Sequence, residues 1–135
     1  MIRIAYDQYD RFDGRFGHMY YNQPFSYYKL RFEYRFTGNQ TPGGATWNVR
    51  NSGVMFHSQS ARSVGLKQDF PVSLEVQTLG GLSNGKPRPT VNLCSPGTLV
   101  RQKGQPNPRH CIESTSKTYD GDQWVAVEEI GRAHV

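Results

Sequence analysis

What this chain lacks narrows it before any motif is read. No apolar run approaches the roughly 20 residues that a membrane-spanning helix needs, so no membrane span is expected. The opening MIRIAYDQYD has neither the basic nor the apolar segment of a secretion signal and is expected to carry no address of its own. Apolar residues nowhere recur at helical spacing over a convincing length, and no repeat of solenoid or propeller period occurs. Charge of one sign is in modest excess: 16 Lys and Arg against 11 Asp and Glu give a net +5. The basic residues are scattered among Tyr, Phe, Gly and Asp, so the patch that nucleic acid would need is not visible and nucleic acid is not an expected partner.

Cysteine is scarce as well, with only Cys94 and Cys111 among 135 residues. They form no CxxC pair and have no second pair beside them, so no metal site is expected on them. A disulfide closing the Gly-, Pro- and Lys-rich loop between them is the better reading; it would stabilise the fold by about 3 kcal/mol and indicates an oxidising compartment. Asp7, Asp10 and Asp13 are spaced suggestively for calcium, but the Gly and terminal Glu of a calcium loop are absent, which leaves solvated loop carboxylates.

What is present suits short strands and turns. Hydrophobic residues make up 36% of the chain and aromatics 13%, with 14 Gly and 8 Pro. A chain of this length forms one domain and buries roughly two-thirds of its unfolded surface. Asp13-Gly14 is a turn signal between expected strands at Ile2–Tyr6 and Gly17–Tyr21. Tyr27–Phe36 alternates most cleanly: Tyr28, Leu30, Phe32, Tyr34 and Phe36 share one face, while Lys29, Arg31, Glu33 and Arg35 share the other. A turn-rich loop from Thr37 to Asn48 follows, and Trp47 in it is either a hydrophobic plug or a platform for stacking a sugar.

In VRNSGVMFHSQS, Ser52, Val54 and Phe56 face one way and Asn51, Gly53, Met55 and His57 the other. Gly53 in mid-strand marks a close approach by a backbone or a ligand. Phe70–Gly81, FPVSLEVQTLGG, is the central strand, with Val72, Leu74 and Val76 on a buried face and Ser73, Glu75 and Gln77 on a wet one. Further strands are expected at Thr90–Leu93 and Gln123–Glu128. Many short strands joined by Gly/Pro turns specify an all-β, two-sheet sandwich.

On the wet face Glu75 is the best-placed acid or base, if that face floors a groove. Its structural alternative is a carboxylate paired across the sheet with an arginine such as Arg50. His57 titrates near neutrality and is a second acid–base candidate beside its plain reading as a packed or surface histidine. Arg50, Asn51, Gln77, Asn92 and Trp47 are the candidate substrate-binding residues. A divalent metal at Glu75 and His57 is compatible with these residue types, but no spacing requires one and no cofactor is expected.

Taken in order, FDGRFGHMYYNQPFSYYKLRFEYRF, RNSGVMFHSQS, FPVSLEVQTLGG, PRPTVNLCSPGT and HCIESTSKTYDGDQWV resemble the 3-keto-disaccharide hydrolase domain family. The similarity runs from about Ile4 to Glu128. It implies a concanavalin A-like jelly-roll sandwich of two antiparallel sheets with a carbohydrate groove on the concave one. It also implies a bacterial, extracytoplasmic protein, periplasmic or secreted, that cleaves 3-keto-glycosides; the alternative is a non-catalytic carbohydrate-binding module of the same fold. Against such a domain the chain looks clipped at both ends. Residues 1–129 are expected to form the partial domain. Residues 130–135 fit a non-native tail, because EIGRAHV matches what a common sequencing adapter encodes in frame and breaks the preceding alternation.

Overall fold

The computed structural model describes residues 1–132, and among these all strand pairing is antiparallel. The strands are β1 (Tyr27–Tyr34), β2 (Asn51–Phe56), β3 (Leu74–Leu79), β4 (Asn92–Cys94), β5 (Arg101–Gln102), β6 (Gln105–Pro106), β7 (Cys111–Ile112) and β8 (Val125–Arg132). Helical structure among the described residues is limited to single 3-10 turns at Thr46–Asn48 and Ala61–Ser63. One sheet has four strands in the order β2-β3-β4-β7, β1 pairs with β8, and β5 with β6 makes a small hairpin inside the cysteine loop.

Alternation decides which face each strand buries. In β1 the half-buried Tyr28, Leu30, Phe32 and Tyr34 alternate with exposed Tyr27, Lys29, Arg31 and Glu33, as the sequence leads one to expect. Opposite them Val125 and Val127 of β8 are buried, and with Val76, Leu79 and Cys94 they form the hydrophobic core. On the exposed face Glu128 bridges Lys29 at 3.1 Å and Arg31 at 2.5 Å, contacts that water screens to small value.

A polar stitch ties the two layers. Tyr34 of β1 donates its hydroxyl to the Leu79 carbonyl at 3.0 Å and lies 2.6 Å from Thr90 Oγ1. Thr90 Oγ1 in turn accepts the Leu79 N–H at 2.8 Å. Burial raises the Tyr34 pKa, so this hydroxyl stays a neutral donor.

Three expectations are corrected. No strands form at Ile2–Tyr6 or Gly17–Tyr21, because nothing pairs with them. That segment is held instead by turns, a Phe12 N–H bond to the Pro42 carbonyl at 2.9 Å, and a chain of rings linking Phe12, Phe16 and Phe70. The strand expected at Thr90–Leu93 starts at Asn92, since Val91 adopts a left-handed φ of 60° that is foreign to a strand. The alternation does not stop at Glu129: Ile130, Gly131 and Arg132 pair with Lys29, Tyr28 and Tyr27, with Gly131 buried between two exposed neighbours. The Tyr28 ring fills the space above Gly131, where a Cβ would lie 1.9 Å from Tyr28 Cζ. The first three residues of the expected tail thus continue β8, and residues 133–135 lie outside the described residues.

Candidate active site

Strand register builds the site. In an antiparallel pair, residues directly opposite share a face, with Cβ atoms about 5 Å apart. Met55 and Cys94 flank Glu75, Gly53 and Asn92 flank Gln77, and Asn51 lies opposite Leu79. Asn51, Gly53, Met55, Glu75, Gln77, Leu79, Asn92 and Cys94 therefore line one face of the four-stranded sheet. The opposite face carries Val54, Phe56, Leu74, Val76, Leu93 and Ile112.

Glu75 is the chemically unusual member. Among the described residues its carboxyl makes no hydrogen bond and no ion pair, yet its oxygens are not sealed from solvent. It lies over Gly53, where an added Cβ would sit 2.1 Å from Glu75 Oε1 and 2.7 Å from Cδ. Cys94, wholly buried and bonded to Cys111, stands on its other side. With apolar neighbours and no cation, desolvation alone pushes the Glu75 pKa from 4.5 up to about 7.

Gln77 is aimed by its neighbour. Asn92 donates Nδ2 to Gln77 Oε1 at 3.0 Å and to the Pro89 carbonyl at 3.1 Å, while Asn92 Oδ1 accepts the Ser114 N–H at 3.0 Å. The Gln77 oxygen is thereby occupied. Its NH2 has no partner among the described residues and keeps contact with solvent. Asn92, expected to hold a sugar hydroxyl, is only 4% exposed, and both ends of its amide are engaged, the nitrogen by Gln77 and Pro89 and the oxygen by Ser114.

Other expected members are not brought to Glu75. His57 follows β2 with a left-handed φ of 50°, which ends the alternation that had placed it on the wet face. Its exposed ring packs edge-on against Phe56, 5.5 Å between centroids, and Phe56 belongs to the opposite face. Arg50 precedes β2 with a φ of 46° and donates Nη1 to the Gly121 carbonyl at 2.6 Å. Its stem lies against Gly80, so it is not the cross-sheet partner of Glu75. Asn51 is on the site face, and its Nδ2 is donated to the Trp47 carbonyl at 2.9 Å. Trp47 has one face stacked on Phe16, ring centroids 6.1 Å apart, and about half its surface open to solvent.

Concavities occur along β1 and β8, lined by Arg31, Phe32, Glu33 and Ala126 to Glu128, and at the turn from Gln8 to Arg15, and Glu75 lines neither of these two. The sheet face around Glu75 is partly covered: Leu79, Asn92 and Cys94 on it are buried, while Glu75 and Gln77 are half-buried. Among the described residues no three His, Cys, Asp or Glu side chains come together as a metal site, and no helix is long and apolar enough to cross a membrane. The sequence pointed to a close approach at Gly53 by a backbone or a ligand, whereas the nearest group is the Glu75 side chain, and it gave no sign that Cys94 adjoins Glu75. Counting register positions from a correct strand pairing would have found both.

Fold and site together define an all-β sandwich that presents a desolvated carboxyl beside an oriented amide, an arrangement suited to acid–base work on a polar, uncharged ligand. The chain matches the family model described as the 3-keto-alpha-glucoside-1,2-lyase-like domain over residues 6–131, nearly its whole length, and it belongs to that family. That places it among glycoside-acting domains of concanavalin A-like fold. No curated protein and no solved structure matches the chain.

Proposed function

We infer that this domain cleaves the glycosidic bond of a 3-keto-glycoside by elimination. The observation that carries the reading is a half-buried Glu75 carboxyl with no partner, next to a Gln77 amide whose NH2 is left free. A ketone at C3 acidifies the proton on C2. The Glu75 carboxylate takes that proton, and the C–H electrons move into a C2–C3 enolate whose oxygen accepts a hydrogen bond from Gln77 Nε2. Collapse of the enolate forms the C1–C2 double bond, breaks the C1–O bond and restores the ketone. The departing oxygen takes a proton from water or from the protonated Glu75, and water adds to the enone in a separate step. Asn51, on the same face beyond Gln77, supplies its amide oxygen to the sugar, and Trp47, whose carbonyl holds the Asn51 amide nitrogen, supplies a half-exposed ring.

A base with a pKa near 7 is matched to neutral pH, where about half of the molecules carry it ionised and it is still basic. The family description supports the substrate class. The Cys94–Cys111 disulfide supports an oxidising, extracytoplasmic setting.

The test is turnover of a 3-keto-α-disaccharide, with exchange of the C2 proton for deuterium followed by NMR. Activity is expected to rise with pH through about 7 as Glu75 ionises. Glu75→Gln is expected to lose turnover by roughly 100-fold or more together with the exchange. Equal turnover by both proteins would remove Glu75 from the role of base. Sugar binding without turnover by either would favour the second reading, a carbohydrate-binding module, for which the half-exposed Trp47 ring speaks.

A further inference from the structure

Glycine in the middle of a strand normally weakens it, since it adds no packing and loses more chain freedom on folding. Gly53 occupies such a place, the third residue of β2, directly opposite Gln77 and diagonal to Glu75. Its backbone does not call for glycine: φ is not in the left-handed region at this position, unlike Arg50 and His57 on either side of the strand. The three atoms nearest to an added Cβ all belong to one side chain, Glu75, with Oε1 at 2.1 Å and Cγ and Cδ each at 2.7 Å.

We propose that Gly53 is a positioning residue, whose missing side chain forms the seat in which the Glu75 carboxyl is held down on the sheet. Any Cβ at position 53 would occupy the space of the carboxyl itself and drive it up into water. The seat is uncharged on every side: β2 presents Asn51, Gly53 and Met55, β3 presents Gln77 and Leu79, and β4 presents Asn92 and the disulfide-bonded Cys94. Among the described residues no cation holds the carboxyl down and no anion pushes it away, so the shape of the seat decides how far it is from water. The arrangement also keeps Glu75 close to the plane of Gln77, so that the two groups meet one ligand from the same level.

The catalytic consequence rests on Glu75 being the base; the seat does not. The experiment therefore reads both. Titration of the Glu75 side-chain carboxyl by carbon NMR in the intact chain is expected near 7, and in Gly53→Ala it is expected to fall toward the ordinary glutamate range of about 4.3. Melting temperature provides the second measurement. Gly53→Ala is expected to be destabilising while Glu75 is present and neutral or stabilising in the Gly53→Ala, Glu75→Ala double variant, because removing the carboxyl removes the clash. An unchanged Glu75 titration in Gly53→Ala, or the same melting shift with and without the Glu75 side chain, would overturn the seat. With a 3-keto-α-disaccharide as probe, Gly53→Ala is expected to lower kcat with little change in KM and to move the pH profile downward. Loss of that kinetic effect while the titration still shifts would sink the role of Glu75 as base and leave the seat standing.

Discussion

A carboxyl desolvated without any hydrogen bond is held in place by packing, and the cost falls on its ionised form. Glu75 has its pKa raised from 4.5 to about 7 by burial, so the folded state binds a proton that the unfolded chain has already released. The corresponding stability is fully present below about pH 4.5 and is lost as pH rises through about 7. Glu75→Gln, neutral at every pH, is expected to match the wild type in acid and to exceed it above pH 7 by about 2 kcal/mol, a figure reduced from the full shift because the carboxyl retains some solvent. Urea unfolding of both proteins at pH 4 and pH 8 measures this; equal stabilities at pH 8 would refute it. Alternation along FPVSLEVQTLGG was sufficient to place Glu75 and Gln77 on one face. It was not sufficient for Asn92, whose amide is engaged by Ser114, a residue 22 positions away that no local pattern connects to it.

At the scale of elements, the short strands are secured by their neighbours. β7 has two residues and β4 three, too few for an independent ladder, and Cys94 and Cys111 face each other on the rung that joins them. Their bond closes a loop over a sequence separation of 17. Cys111→Ser is expected to cost about 3 kcal/mol, and a reducing agent is expected to lower the melting temperature of the wild type to that of the variant. A wild type insensitive to reduction would count against the bond as a source of stability. The pairing of these two cysteines was legible because no other cysteine competes. The ends of β2 were not legible: Arg50 and His57 look like ordinary strand residues, and only their left-handed backbone, set by the loops on each side, turns their side chains away from Glu75.

For the molecule as a whole, protection should follow the sheets. β3 lies inside the four-stranded sheet with partners on both sides, whereas the described residues before β1 make few backbone hydrogen bonds. Amide exchange is expected to be slowest for Leu74–Leu79, intermediate across β1 and β8, which have one partner each, and fastest before Tyr27. Uniform exchange over these three groups would contradict the layered architecture. By itself the amino-acid sequence determined the all-β class, the inward faces of β1 and β8, the disulfide and the family, because each is written in local alternation, in composition or in ordered short motifs; it misplaced Val72, which is exposed, and Ser73, which is buried. The tertiary structure decided which polar residues meet. It set Gly53 beneath Glu75, Asn92 against Gln77 and Arg50 toward Gly121, since those contacts depend on strand register and on backbone turns shaped by distant partners.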